Sequence, residues 1–100
     1  MGAVNPRESI VRRRAVVTGM VQGVGFRWSA REQAHRLGVT GWARNRADGS
    51  VEVEVEGEPA SVERMVAWLR SGPPGSAVAE VRVSDAVPDG DDAFRIRQTE

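Results

Sequence analysis

The sequence contains no cysteine and no lysine. The first absence excludes a disulfide scaffold, a cysteine-based zinc site and a thiol nucleophile, and it is compatible with a reducing compartment. The second removes a Schiff-base former and a common phosphate ligand. All fourteen basic residues are therefore arginines, a set that GC-rich coding bias alone can produce. Arginine grips phosphate oxygens bidentately, so any work on anions falls to it. No apolar run approaches the ~20 residues of a membrane span, and residues 1–14 lack the apolar middle of a signal peptide. The expectation is a cytoplasmic protein with no membrane partner. Net charge is zero and the sequence pI is about 6.6, so no global field draws the chain toward nucleic acid.

What is present suits one small domain. The chain has 100 residues, of which 40% are hydrophobic, enough for a single core. Residues 1–13 mix Gly, Asn, Pro, Arg and Glu without periodicity and read as a flexible leader, leaving a domain over residues 14–98. The run Arg12-Arg13-Arg14 reads as a solvated edge beside a strand start in preference to a nucleic-acid arm. Residues 15–21 are rich in β-branched side chains and predict a strand. Phe26, Ala30, Ala34 and Leu37 then recur at helical spacing, Glu32 and Arg36 stand four apart, and Gly38 is placed to end the helix.

Residues 39–46 resume an extended pattern, and Asp48-Gly49 is a hairpin signal. Val51, Val53 and Val55 alternate with Glu52, Glu54 and Glu56, giving a strand with one buried and one polar face. The glutamate row reads as solvated or paired with arginine, since carboxylates along one strand do not converge on a metal. Pro59 suits the first turn of a second helix, whose core stripe is Val62, Met65, Val66 and Leu69. Gly72-Pro73-Pro74-Gly75 stops it. Residues 77–87 predict another strand around Val78, Val81 and Val83, and residues 94–97 a short closing one. The order βαββαβ plus that closing strand predicts an α+β, ferredoxin-like split βαβ sandwich: an antiparallel sheet with two helices on one face.

The chemistry concentrates where the first strand hands over to the first helix. Gly19, Gly23 and Gly25 permit backbone conformations in which successive N–H groups point inward as a nest for an anion. The helix adds unpaired N–H groups and the positive end of its dipole. Arg27 stands in the first helical turn, where a cation is unfavourable for the dipole unless an anion faces both. The stretch lacks the Gly-Lys-Ser/Thr ending of a nucleotide P-loop, and its glycine spacing differs from G-x-G-x-x-G.

Residues 21–27, spelled V-Q-G-V-G-F-R, closely resemble the signature of the acylphosphatase family. Gly41-Trp42-Ala43-Arg44-Asn45 followed by Asp48-Gly49-Ser50-Val51-Glu52 resembles that family's second signature. The Gly-Pro-Pro segment at Gly72 and the closing Phe94-Arg95-Ile96-Arg97 also look like its pattern, so the resemblance spans about residues 15–97. It implies hydrolysis of the carboxyl-phosphate bond of acyl phosphates, giving a carboxylate and inorganic phosphate, with no metal and no cofactor. Carried over by position, it implies Arg27 as the phosphate-binding arginine and Asn45 as the residue that orients the attacking water. The amides of Gly23, Val24, Gly25, Phe26 and Arg27 would cradle the phosphoryl oxygens. Partners would be an acyl phosphate and, as product and competitive inhibitor, inorganic phosphate; the sequence is silent on oligomeric state, and a monomer is the default expectation. Arg46 follows Asn45 where some family members have Thr, a change expected to alter the local field only.

Other candidates have plainer readings. His35, two turns along the helix from the loop, reads as a structural or surface histidine. Trp28, Trp42 and Trp68 are dispersed and read as core or boundary packing, without the aromatic pair of an RNA-recognition sheet. Asp48 reads as a turn residue, and Arg31 as a surface residue that could widen a positive mouth. Two alternatives to an enzyme stand beside this reading: a non-catalytic module that binds an acyl or carbamoyl phosphate, as in domains fused to larger carbamoyl-handling proteins, and a nucleic-acid-binding ferredoxin-like domain. Zero net charge counts against the latter.

Overall fold

The computed structural model describes residues 10–99. Its elements are β1 (Val11–Met20), α1 (Phe26–Leu37), β2 (Thr40–Asn45), β3 (Val51–Gly57), α2 (Pro59–Ser71), β4 (Ala77–Ala86) and β5 (Phe94–Ile96). The strands form one sheet in the order β4-β1-β3-β2-β5. The β1–β3, β1–β4 and β2–β3 pairs are antiparallel. The closing strand departs from the expected antiparallel sheet. β5 lies parallel to β2, with Phe94 beside Gly41 and Ile96 beside Ala43, so the sheet is mixed at that edge.

Strand parity divides the molecule. Ala15 and Val17, Ala43, and Val51, Val53 and Val55 face the helices and meet Phe26, Ala30 and Ala34 of α1 and Val62, Met65 and Leu69 of α2 in one core. Pro59 opens α2, and Gly38 ends α1 by donating its N–H to the carbonyls of Ala34 and His35. The pair Glu32 and Arg36 does not close into an ion pair.

The other sheet face corrects the reading of the arginine run. β1 begins at Val11, so residues 11–13 belong to the sheet; the leader expected at residues 1–13 otherwise falls, up to residue 9, outside the described residues. Arg12 is not solvated but only 2% exposed. Its Nε donates to Glu54 at 2.5 Å, and its Nη1 donates to Glu56 and Asp91, each at 3.0 Å. Burial works against the guanidinium's charge, yet these three carboxylates outweigh it and hold its pKa above the ordinary value. Arg14 and Arg44 both donate to Glu52, at 2.6 and 2.7 Å. The glutamate row is thus the arginine-paired face expected of it. Trp42 packs on the same face with the guanidinium of Arg97 4.7 Å, and that of Arg44 5.2 Å, from its ring centroid.

Candidate active site

β1 and β2 flank β3, and both run antiparallel to it, so their C-terminal ends lie at the same edge of the sheet. The loop leaving β1 and the last residue of β2 therefore meet. Parity sets what β2 contributes. Gly41, Ala43 and Asn45 share the helix-facing side, whereas Trp42, Arg44 and Arg46 share the open side. Asn45 is in this way aimed toward the start of α1.

A cavity of about 150 Å³ occupies this edge, lined by Val21, Gly23, Gly25, Phe26, Arg27, Trp28, Asn45 and Ile96. Five of the residues picked out in the sequence, Gly23, Gly25, Phe26, Arg27 and Asn45, are brought together there. Val24 is not part of the lining; its side chain packs against the core. Gly23 and Gly25 take φ of 77° and 73°. Gly25 caps α1 in the left-handed conformation with no side-chain cap, and no acidic residue stands in the first turn. An added Cβ at either glycine would meet nothing within 4 Å. Conformation, not crowding, requires glycine here.

The polar groups of the cavity are unspent. Among the described residues, the N–H groups of Gly23, Val24, Gly25, Phe26 and Arg27 donate to no protein acceptor. The half-buried Arg27 guanidinium makes no ion pair, and the Asn45 amide makes no hydrogen bond. Unpartnered N–H groups at a helix N-terminus beside an unpaired guanidinium are chemically suited to a small, highly charged oxyanion.

One functional residue carried no assigned role at the level of sequence. Gln22 donates from Nε2 to the carbonyls of Arg46, at 2.8 Å, and Ser50, at 2.9 Å. Those carbonyls belong to the β2–β3 turn, which is itself closed by Arg46 N–H to Ser50 O and Gly49 N–H to Arg46 O. Gln22 therefore locks the loop to the turn that follows Asn45. Its place inside the V-Q-G-V-G-F-R motif was the available signal.

The plainer readings can be placed as well. Asp48 accepts from the N–H and hydroxyl of Ser50, at 2.9 and 2.6 Å, and these bonds hold its carboxyl below the usual range. It is a turn residue outside the cavity. Arg46 lines a separate groove on the open sheet face with Arg14 and Asp48. His35 is exposed in the last turn of α1. Trp42 is buried and Trp68 half-buried, but Trp28 is 57% exposed, more than boundary packing predicts. Among the described residues no group of three or more His, Asp or Glu side chains could hold a metal ion, and no helix is long and apolar enough to cross a membrane.

Known proteins match this geometry and sequence. The acylphosphatase family model matches residues 13–96. An acylphosphatase from Anaeromyxobacter dehalogenans is 54% identical over 88 residues, covering 87% of this chain and 95% of the relative. The solved structure of an acylphosphatase from Coxiella burnetii superposes with a TM-score of 0.90 at 36% identity, covering 95% of this chain and all of that one. A structure of full-length HypF in a phosphate- and nucleotide-bound form matches with a TM-score of 0.83 at 28% identity, covering 90% of this chain but 12% of HypF.

Proposed function

The chain belongs to the acylphosphatase family, and from that premise we propose that Arg27 and Asn45 are its catalytic pair, acting on a phosphoryl group held by the amides of residues 23–27. The protein is a hydrolase that cleaves acyl phosphates to a carboxylate and inorganic phosphate. The observation that supports the residue assignment is the run of unspent donors, the N–H groups of residues 23–27 and the Arg27 guanidinium, beside a cavity that Asn45 also lines with its amide free.

In this reading the water oxygen attacks phosphorus, the bond from phosphorus to the carboxylate oxygen breaks, and the carboxylate leaves with the bonding pair. The water proton passes to the phosphate. Phosphoryl transfer goes through a loose transition state, so placement and charge stabilisation do most of the work. The loop amides and Arg27 hold the equatorial oxygens, and the Asn45 amide accepts a hydrogen bond from the water and aims it. A carboxylate is a good leaving group and needs no strong general acid, so neither His35 nor a metal is assigned a step.

Phosphate as a competitive inhibitor, a monomeric state and cytoplasmic residence belong to the same proposal; the first follows from product oxyanions fitting the same donors. The test is phosphate release from acetyl and benzoyl phosphate with chelator present. Arg27→Ala and Asn45→Ala should each reduce kcat by roughly 10²–10³ or more with the fold intact by circular dichroism. Activity surviving in both variants refutes the residue assignment, and full dependence on added metal refutes the mechanism. Phosphate binding without turnover would instead mark a binding module.

A further inference from the structure

We propose that the groove between α1 and the end of α2 is the subsite for the acyl group, and that Trp28 sets its preference for a planar aromatic acyl group. This rests on the phosphate-cavity reading above. Trp28 is the wall that the phosphate cavity and the groove have in common. An acyl group leaving the cavity across Trp28 enters a groove of about 240 Å³, whose apolar wall is Trp28, Trp68, Pro73 and Pro74.

Four observations favour an aromatic occupant. Trp28 leaves 57% of its surface in water beside this wall, a large apolar face with nothing packed on it. Trp68 is held in place, because it packs on Phe26 with ring centroids 5.8 Å apart and planes tilted by 55°, and Phe26 also lines the phosphate cavity. The Trp68 side of the groove is thus tied to the wall of the phosphate cavity. The charged residues at the groove are Glu32 and Arg36, one of each sign, so it does not select by net charge. At its size, below the roughly 300–1,000 Å³ of drug-sized ligand sites, it accommodates a single ring and not a cofactor.

The experiment measures kcat/KM for benzoyl and acetyl phosphate and follows their ratio. Comparing the ratio between variant and wild type cancels the intrinsic reactivity of the two substrates. Trp28→Ala should lower the benzoyl-to-acetyl ratio roughly 3- to 10-fold, the range expected for losing one aromatic contact, and Trp28→Phe should restore most of it. Gln33→Trp, at a groove residue that does not line the phosphate cavity, narrows the groove from α1 and should also lower the benzoyl-to-acetyl ratio. An unchanged ratio in both Trp28→Ala and Gln33→Trp, with acetyl phosphate still hydrolysed, overturns the subsite and leaves the catalytic reading standing. Failure of the wild-type protein to hydrolyse either substrate overturns that reading and this proposal with it.

Discussion

Replacing Gln22 tests whether the phosphate loop and the turn after Asn45 act as one unit. The side chain spends both amide hydrogens on the carbonyls of Arg46 and Ser50. Each hydrogen bond of this kind contributes about 0.5–1.5 kcal/mol net. In Gln22→Ala both carbonyls keep a backbone donor, Gly49 N–H at 3.1 Å and Arg46 N–H at 2.9 Å, so neither is orphaned. The expected cost is therefore about 1–2 kcal/mol, or a drop in Tm of roughly 4–8 °C per kcal/mol for a domain of this size. Gln22→Glu keeps the shape but points a carboxylate at two carbonyl oxygens. Repulsion and the desolvation of an unpartnered charge should add about 1–3 kcal/mol.

Activity should follow the same order for a geometric reason. The phosphoryl donors lie beyond Gln22 on the loop, whereas the part that slips is the turn adjoining Asn45. A misplacement of order 1 Å costs as much as ~10²-fold, so kcat should fall roughly 10- to 100-fold with a smaller change in KM. Thermal unfolding and steady-state phosphate release on Gln22→Ala and Gln22→Glu read both effects. A glutamate variant as stable and active as wild type, or milder than the alanine variant, refutes the assignment of both amide hydrogens to those carbonyls.

Gly25→Ala meets no steric obstacle but must hold a φ of 73°, a strain of about 1–2 kcal/mol. Phosphate inhibition and turnover should therefore weaken far more than thermal stability, read by inhibition assay beside a melt. Glu52 and Glu56 are buried, which pushes their carboxyls up, but Arg44 and Arg14 at Glu52, and the N–H groups of Asp89 and Gly90 with Arg12 at Glu56, hold both below the usual range. The unfolded chain then binds more protons, so their stability contribution is complete above the unfolded value near ~4.3 and is lost as pH falls through the lower folded values. Glu52→Gln should lower the urea midpoint at pH 7 and flatten its fall in acid. Arg12→Ala strands Glu54 and Asp91 and leaves Glu56 only the N–H groups of Asp89 and Gly90, and should cost about 3–5 kcal/mol in urea unfolding, whereas Arg82→Ala, which removes only the exposed Glu80 pair, should cost under ~1 kcal/mol; similar losses for the two would refute the buried-network account.

How much of this was legible in the sequence depended on whether each feature is written in one segment or shared between two. The β3 alternation and the stripe of α2 are local and fold as their own patterns predict, except that Val66 stays out of the core; the glycine loop is local too, but Gly19 lies within β1 and only Gly23 and Gly25 shape the turn. Arg12 was misread because three consecutive arginines carry no apolar alternation. Arg12 and Arg14 find their partners in Glu52, Glu54 and Glu56, about forty residues away, and Arg13 in Asp85, and that complementarity has no local signature. β5 is three residues long, too short to show that it would lie parallel. The spacing of α1 placed Phe26, Ala30 and Ala34 in the core but said nothing of Trp28, whose surroundings come from the end of α2. Gln22 went unassigned for a sharper reason: its partners are backbone carbonyls, which exist at every position and so leave no trace in the residue identities. Arg27 and Asn45 could be picked out because side-chain chemistry is spelled by residue type, while the element that couples their two segments is spelled by backbone geometry. A site of this kind is therefore read more easily for what it holds than for what keeps its halves aligned.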